Sequence, residues 1–272
     1  MPAGQKVTLS DAGVTGISSD MQNDIILEAR ALGRDFNGFT AVDDVSLSVR
    51  RGDIHAIIGP NGAGKTTFFN LLTSFITPSR GQVFLDGKEI TGKSSAQIAN
   101  LGMVRSFQIS AVFGHLTVLQ NVRIALQKRD GGNPNFWRAR RSLDRYNGRA
   151  MEILRMVRLD ALADRLAVEI AYGQKRALEL ATTIALDPRV ILLDEPTQGM
   201  GHEDVEHIMR LVKSFATGRT VVMVEHNMKV VAGISDRITV LARGKELASG
   251  TYAEVSANEH VIEAYMGRKK RR

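Results

Sequence analysis

The sequence predicts an α/β protein, a parallel sheet covered by helices with a helical block inserted in it. Three observations lead there. A short apolar run, Ile54–Ile58, enters a glycine-rich turn and then a helix-forming stretch. Apolar strand patterns and a helix pattern alternate between residues 190 and 241. Between them, from about 116 to 186, the pattern is mostly helical and reads as an inserted subdomain.

The elements follow in order. Residues 1–24 are polar, aperiodic and rich in Gly, Ser and Asp, and read as a flexible N-terminal extension, with Met21 an alternative start. From Ile25 the pattern is strand-like, with further strands predicted near Val42–Val49, Ile54–Ile58 and Gln82–Leu85. Pro78-Ser79-Arg80-Gly81 reads as the turn into the last of these. A helix is expected from Lys65 through Phe68, Phe69, Leu71 and Leu72. In the helical block, Met151–Val157 and Ala177–Leu186 place apolar residues three and four apart, and Gly131-Gly132-Asn133-Pro134 interrupts it with a loop. Strands return at Val190–Leu193, Thr220–Val224 and Ile238–Leu241, with a helix over Glu203–Phe215 between the first two. No internal repeat is visible.

Composition excludes several function classes. The 272 residues are 43% apolar and 24% charged, ordinary for a globular domain. There is no cysteine, which removes disulfides, zinc–thiolate sites and thiol catalysis and suits a reducing compartment. Apolar runs such as Val221–Val224 fall far below the roughly 18 residues of a membrane span, and the N-terminus shows no signal-peptide pattern. The net charge of +7 is concentrated: Arg268, Lys269, Lys270, Arg271 and Arg272 form a basic tail carrying +5. A second cluster, Arg138, Arg140, Arg141, Arg145 and Arg149, lies beside Trp137. Both read first as solvated segments, with anionic lipid headgroups or an acidic partner as the other reading. The nearly neutral remainder argues against specific nucleic-acid binding.

The glycine-rich turn is Gly59-Pro60-Asn61-Gly62-Ala63-Gly64-Lys65-Thr66-Thr67, which satisfies the phosphate-loop pattern GxxxxGK[ST]. Glycines let the backbone curl so that successive N–H groups point at phosphate oxygens, and the following helix adds its positive end. Lys65 is expected to reach the β- and γ-phosphates and the Thr66 hydroxyl to ligate Mg²⁺. A preceding apolar strand and a following helix give the motif the context it needs, so a nucleoside-triphosphate site is expected.

Further on, Val190–Leu193 describes a buried strand that delivers Asp194 and Glu195 at its carboxyl end, where ligands gather in open α/β sheets. Asp194 suits the Mg²⁺ shell, and Glu195 suits orienting or deprotonating an attacking water.

With these pieces placed, the chain resembles the ATP-binding-cassette (ABC) ATPases over roughly residues 25–267. The resemblance rests on three more segments in the family's order. Ser106-Phe107-Gln108 is similar to the Q-loop, Ile170-Ala171-Tyr172-Gly173-Gln174-Lys175-Arg176 to the signature motif, and Val224-Glu225-His226-Asn227 to the switch region. The resemblance implies a P-loop NTPase core with a parallel sheet, an antiparallel β subdomain and an inserted helical subdomain at about 116–186. It implies ATP and Mg²⁺ as cofactors. Gln108 would contact Mg²⁺ or the attacking water and sense a transmembrane partner, His226 would hydrogen-bond the γ-phosphate, and Phe36 would stack on adenine. An ordinary core phenylalanine is the other reading of Phe36.

Two departures stand out. The usual signature serine is Ala171 here, which leaves backbone N–H groups near Gly173 and the Gln174 side chain to meet the γ-phosphate of a partner. Gly201 stands where many members carry the D-loop aspartate. Both are similar to what the branched-chain amino-acid importer ATPases show, as are Gly102–Gln108, Glu225-His226-Asn227-Met228 and the ending Ala264-Tyr265-Met266-Gly267. That branch implies an ATPase paired with a second cassette. It would be peripheral on the cytoplasmic face of a bacterial inner membrane, working with two permeases and indirectly with a periplasmic or extracellular solute-binding protein. Motion would pass through Gln108 and residues 109–125. An ATPase for urea, short amides or lipid export shares these motifs. A soluble ABC ATPase acting on ribosomes or DNA, and an ATP-binding module without turnover, are readings from other classes. The single cassette and the presence of Glu195 and His226 speak against them.

Overall fold

The computed structural model describes residues 24–106, 112–130 and 144–266. The expected flexible extension, the loop at Gly131–Pro134, Trp137 with Arg138, Arg140 and Arg141, and the basic tail lie outside them.

The first strands form an antiparallel sheet. Strand β1 (Ile25–Phe36) returns as β2 (Phe39–Arg50) through Asn37 and Gly38, whose φ values of 42° and 89° are the positive pair that a two-residue type I′ hairpin requires. Along β2, Val45, Leu47 and Val49 are buried and alternate with exposed Ser46, Ser48 and Arg50, so one face meets the core and the other solvent. With β4 (Arg80–Leu85) and β5 (Lys88–Glu89) the sheet has the order β2-β1-β4-β5.

The second sheet has the order β10-β9-β3-β8-β7-β6. Its members are β3 (Ile54–Ile58), β6 (Met103–Ser106), β7 (Val190–Asp194), β8 (Thr220–Val224), β9 (Arg237–Ala242) and β10 (Lys245–Gly250). All adjacent pairs are parallel except β9 with β10. Strands β3, β7 and β8 are buried at every position, as strands covered on both faces must be. Alternate side chains then serve two cores. Ile191 and Leu193 join the core shared with the helical block, while Val190 and Leu192 face Phe68, Phe69, Leu71 and Leu72 of helix α1 (Lys65–Leu72). Each of those four side chains stabilises the packing by about 1.5–3 kcal/mol.

Helix α2 (Ser95–Asn100) precedes β6. The inserted block contributes α3 (Val118–Arg129), α4 (Asn147–Met156) and α5 (Tyr172–Ala185). Thr117 starts α3 through reciprocal bonds with Gln120, whose backbone N–H donates to the Thr117 hydroxyl at 3.2 Å. Buried Asn121 accepts from the Phe113 N–H at 2.7 Å and donates to the Thr117 carbonyl at 2.9 Å, which pins the segment entering the block. Helices α6 (His202–Ala216) and α7 (Met228–Ile234) complete the crossovers, and α8 (Tyr252–Ala257) with α9 (Glu259–Met266) close the chain. The sequence reading located the strands and longer helices but took β6 only as part of a motif, and it left β5, β10 and the short helices unassigned.

One polar residue interrupts β3. His55 is 1% exposed, its Nε2 lies 2.8 Å from Thr239 Oγ1 on β9, and its Nδ1 has no partner. Burial, reinforced by Arg237, pushes this imidazole down to about 4. The unfolded imidazole accepts a proton near 6.5 that the folded one refuses, so this contribution is complete above pH 6.5 and shrinks as pH falls toward 4. We predict a loss of roughly 3 kcal/mol over that window. Denaturant melts of wild type and His55→Leu should show it as a difference. The variant lacks that component, and Thr239 Oγ1 retains Ser249 Oγ at 3.3 Å. Parallel pH profiles would contradict the assignment.

Candidate functional site

The site forms where parallel strands end. Strand β3 runs into the phosphate loop, β7 delivers Asp194 and Glu195, β8 delivers Glu225 and His226, and β6 leads toward Gln108. Gln108 itself lies outside the described residues.

The loop needs its glycines for space as well as conformation. A Cβ on Gly59 would sit 2.2 Å from the Leu241 carbonyl oxygen, and one on Gly64, at φ 95°, would sit 2.5 Å from that of Ala41. Gly64 is followed at once by α1, so the first turn points its free N–H groups into the loop. Ala63 is buried beneath the loop, Asn61 and Gly62 are exposed, and the Ala63 N–H donates to the Pro60 carbonyl at 3.2 Å. Thr66 is exposed on the first turn of α1, and Thr67 is half-buried.

Lys65 is 8% exposed, and its ammonium donates to the carbonyls of Gly59 at 2.7 Å and Pro60 at 3.0 Å. Burial pushes it below the usual lysine range, while the negative charge of Glu195 acts in the opposite direction. Glu195 adopts φ +46°, a region that costs a non-glycine residue about 1–3 kcal/mol and concentrates at functional sites. The turn aims its carboxylate back toward the switch loop, where Glu195 Oε1 lies 4.0 Å from His226 Nδ1.

Asp194 is 2% exposed. Its Oδ2 accepts from Arg105 Nη2 at 2.5 Å, and its Oδ1 is buried without a partner. Arg105, on the last turn of strand before Ser106, also donates through Nη1 to Asn70 Oδ1 at 2.6 Å, and its guanidinium lies 5.0 Å from the Phe69 ring centroid. The carboxylate thus has one oxygen fixed by an arginine and one unspent. No group of three or more His, Cys, Asp or Glu able to hold a metal occurs among the described residues. The unpartnered Asp194 Oδ1 suits a divalent cation that is also held by a hydroxyl and phosphate oxygens, which is how Mg²⁺ is usually held with nucleotides.

The signature segment starts α5. Gln174 turns back, and its Oε1 accepts the Ala171 N–H at 3.0 Å, so its amide nitrogen is the part left for an outside contact. A Cβ on Gly173 would lie 2.7 Å from Cγ of the exposed Asp204 side chain, so the Asp204 carboxylate packs directly over this glycine. The Tyr172 hydroxyl donates to the Gln198 carbonyl at 3.2 Å, tying this segment to the loop after Glu195. Gly201 caps α6 at an ordinary φ of −70°. Phe36 is 41% exposed at the tip of the first hairpin, with the Arg34 guanidinium 4.7 Å from its ring centroid, so it is no core residue.

On α9, partial burial of Tyr265, which stays 40% exposed, pushes its phenol up to about 12. A cleft of about 210 Å³ opens beside Arg105 between β6, α3 and α5, with exposed Phe113 on its wall.

The sequence reading missed Arg105 and the Tyr172–Gln198 tie. An arginine inside the short strand Met103–Ser106, one residue before its end, was a usable signal for the first. The second joins residues 26 apart and left no local trace.

Comparison with known proteins gives concordant matches. The family model described as ABC transporter matches residues 42–198, and the model described as branched-chain amino acid ATP-binding cassette transporter matches 245–270. The chain is 38% identical, over 252 residues, to the high-affinity branched-chain amino acid transport ATP-binding protein BraF of Pseudomonas aeruginosa, covering 89% of this chain and 98% of that protein. It is 37% identical to the corresponding protein LivG of Escherichia coli K12, over 89% of this chain and 98% of the relative. Among solved structures it is similar to a nucleotide-free ATP-binding cassette from an ABC transporter, at TM-score 0.78 and 30% identity, covering 90% of this chain and all of that one. A cassette in its ADP conformation matches at TM-score 0.76 and 30% identity over 90% of this chain.

The Arg105–Asp194 pair generates a stability prediction. Arg105→Met strands a buried carboxylate and should cost about 3–5 kcal/mol. Adding Asp194→Asn should recover much of that loss, a coupling that denaturant melts of the double-mutant cycle measure directly. Additive effects would contradict the pairing.

Proposed function

The chain belongs to the ABC transporter ATPases, and on that premise we propose that it powers import of branched-chain or related amino acids through partner permeases. The ABC family assignment makes it a nucleotide-binding, ATP-hydrolysing cassette. The observation that carries the proposal is the convergence of Lys65, Asp194, Glu195 and His226 at adjacent parallel strand ends, with Glu195 and His226 4.0 Å apart. The names of the relatives support amino acids as cargo over urea, short amides or lipids.

In this reading the phosphate loop, residues 59–67, cradles the triphosphate through its backbone N–H groups, and Lys65 leaves the Gly59 and Pro60 carbonyls to meet the β- and γ-phosphates. Phe36 stacks on the adenine. Mg²⁺, when bound, neutralises charge on the β- and γ-phosphates; Thr66, Asp194 through Oδ1, and Gln108 would hold it. Glu195 orients a water and takes its proton as the water oxygen bonds to the γ-phosphorus and the bond to the bridging oxygen breaks, releasing ADP. His226 donates a hydrogen bond to the γ-phosphate and stabilises the charge that develops there.

One chain supplies half of each site. Ala171, Tyr172, Gly173 and Gln174 open α5 on the exposed surface, and we assign them to the γ-phosphate bound by a second cassette. Closure of that pair is passed on to a permease, and the cleft beside Arg105 with its exposed Phe113 suits the docked permease element. No helix among the described residues is long and apolar enough to cross a membrane. The relatives' role in transport supports a peripheral place at the cytoplasmic face, beside the permeases.

The test is capture from native membranes with tagged Glu195→Gln chain held in ATP. The expected companions are two hydrophobic permeases and a second cassette, with a solute-binding protein that takes branched-chain amino acids supplying the cargo. Recovery of ribosomal or DNA-repair proteins without a permease would overturn the transport reading.

A further inference from the structure

We propose that Glu225 is a positioning residue that sets the Glu195 carboxylate and the His226 imidazole relative to one another. The inference rests on the reading of Glu195 and His226 as the hydrolytic pair.

Glu225 is 0% exposed at the end of β8. Its Oε1 accepts the Thr197 hydroxyl at 2.6 Å and the Thr197 N–H at 3.2 Å. Its Oε2 accepts the N–H of His226 at 3.0 Å and that of Asn227 at 3.2 Å. A buried carboxylate is tolerated when its lone pairs are filled, and here neutral donors fill them on both oxygens. Those donors belong to two different segments. Thr197 lies two residues beyond Glu195, and His226 is the switch residue itself.

The geometry explains why that link is needed. Glu195 sits at φ +46°, so its turn requires holding at both ends. The Glu195 N–H donates to the Val224 carbonyl at 3.0 Å, and Glu225, the next residue, holds Thr197 on the far side. The end of β8 therefore grips the strained turn before and after Glu195. The Glu225 N–H donates in turn to the Ile57 carbonyl at 3.3 Å, which ties the grip to the strand entering the phosphate loop. The held loop continues to Gln198, whose carbonyl takes the Tyr172 hydroxyl, so the signature segment shares the same support. Only a carboxylate accepts on both oxygens. A glutamine would turn an NH₂ group against either the Thr197 pair or the two backbone N–H groups.

The experiment measures steady-state ATP turnover, binding of a fluorescent ATP analogue and thermal melting on the full chain in the complex it copurifies with. The variants are Glu225→Gln, Thr197→Val, Thr197→Ser and, as control, Glu195→Gln. Misplacing the pair should lower kcat on the order of 10²-fold in Glu225→Gln. Loss of one hydroxyl bond should lower it about tenfold in Thr197→Val. Thr197→Ser, which keeps the hydroxyl, should retain most turnover. ATP affinity should stay within about twofold throughout, because the phosphate loop is untouched. Should Glu225→Gln fail to fold, Thr197→Val against Thr197→Ser decides. Wild-type kcat in Glu225→Gln and Thr197→Val beside an inactive Glu195→Gln would overturn the proposal alone. Nucleotide affinity and melting temperature falling in step with kcat would overturn it as well, leaving a merely structural role. Wild-type turnover in Glu195→Gln would overturn the underlying reading and the proposal with it.

Discussion

The register of the parallel strands is the constraint on which the site depends. Ile57 pairs with Val224, Asp194 with Val224, and Ser106 with Leu193. That alignment brings four strand ends level to about one residue, so the residues just beyond them meet without long side chains reaching across. Because β3, β7 and β8 are buried on both faces, a slip of one residue would exchange the two cores and turn Asp194 to the other side. The cores on either side of the sheet therefore fix the positions of charged groups to which they contribute no atoms.

Each buried charge at these strand ends is compensated by different means, and the means match what each group does. Asp194 is neutralised by Arg105 through one oxygen, which leaves the other unspent. Lys65 rests on backbone carbonyls, weak partners that a triphosphate can replace. Glu225 is satisfied by donors alone and has nothing left to offer a ligand. Glu195, with a side chain 19% exposed, keeps access to water. Fixed, exchangeable, structural and reactive charges thus sit at the ends of adjacent strands, and their environments keep them apart in role.

Much of this was legible in the sequence because the signals are local. The phosphate loop is contiguous, and its preceding strand and following helix are apolar runs of the right length. Asp194 and Glu195 end a strand that has no polar residue before them. What stayed hidden is long-range. Arg105 and Asp194 are 89 residues apart, and Thr197 and Glu225 are 28 apart, and no periodicity links either pair. Glu225 follows the apolar run Val221–Val224 just as Asp194 follows Val190–Leu193, so the same signal was present and was read only as part of a motif. Phe36 could be weighed but not placed, since exposure at a hairpin tip depends on the turn made by Asn37 and Gly38. The short strands β5 and β10 carry too few apolar residues to announce themselves.

The most direct test of the account is parallel measurement of ATP binding and ATP turnover in wild type and Glu195→Gln. The account predicts that wild type hydrolyses ATP and that the variant binds it with similar affinity while turning over 10²-fold to 10⁴-fold more slowly, the usual range for losing a positioned general base. Undiminished turnover in the variant, or loss of ATP binding together with turnover, would contradict the assignment of Glu195 and the site built around it.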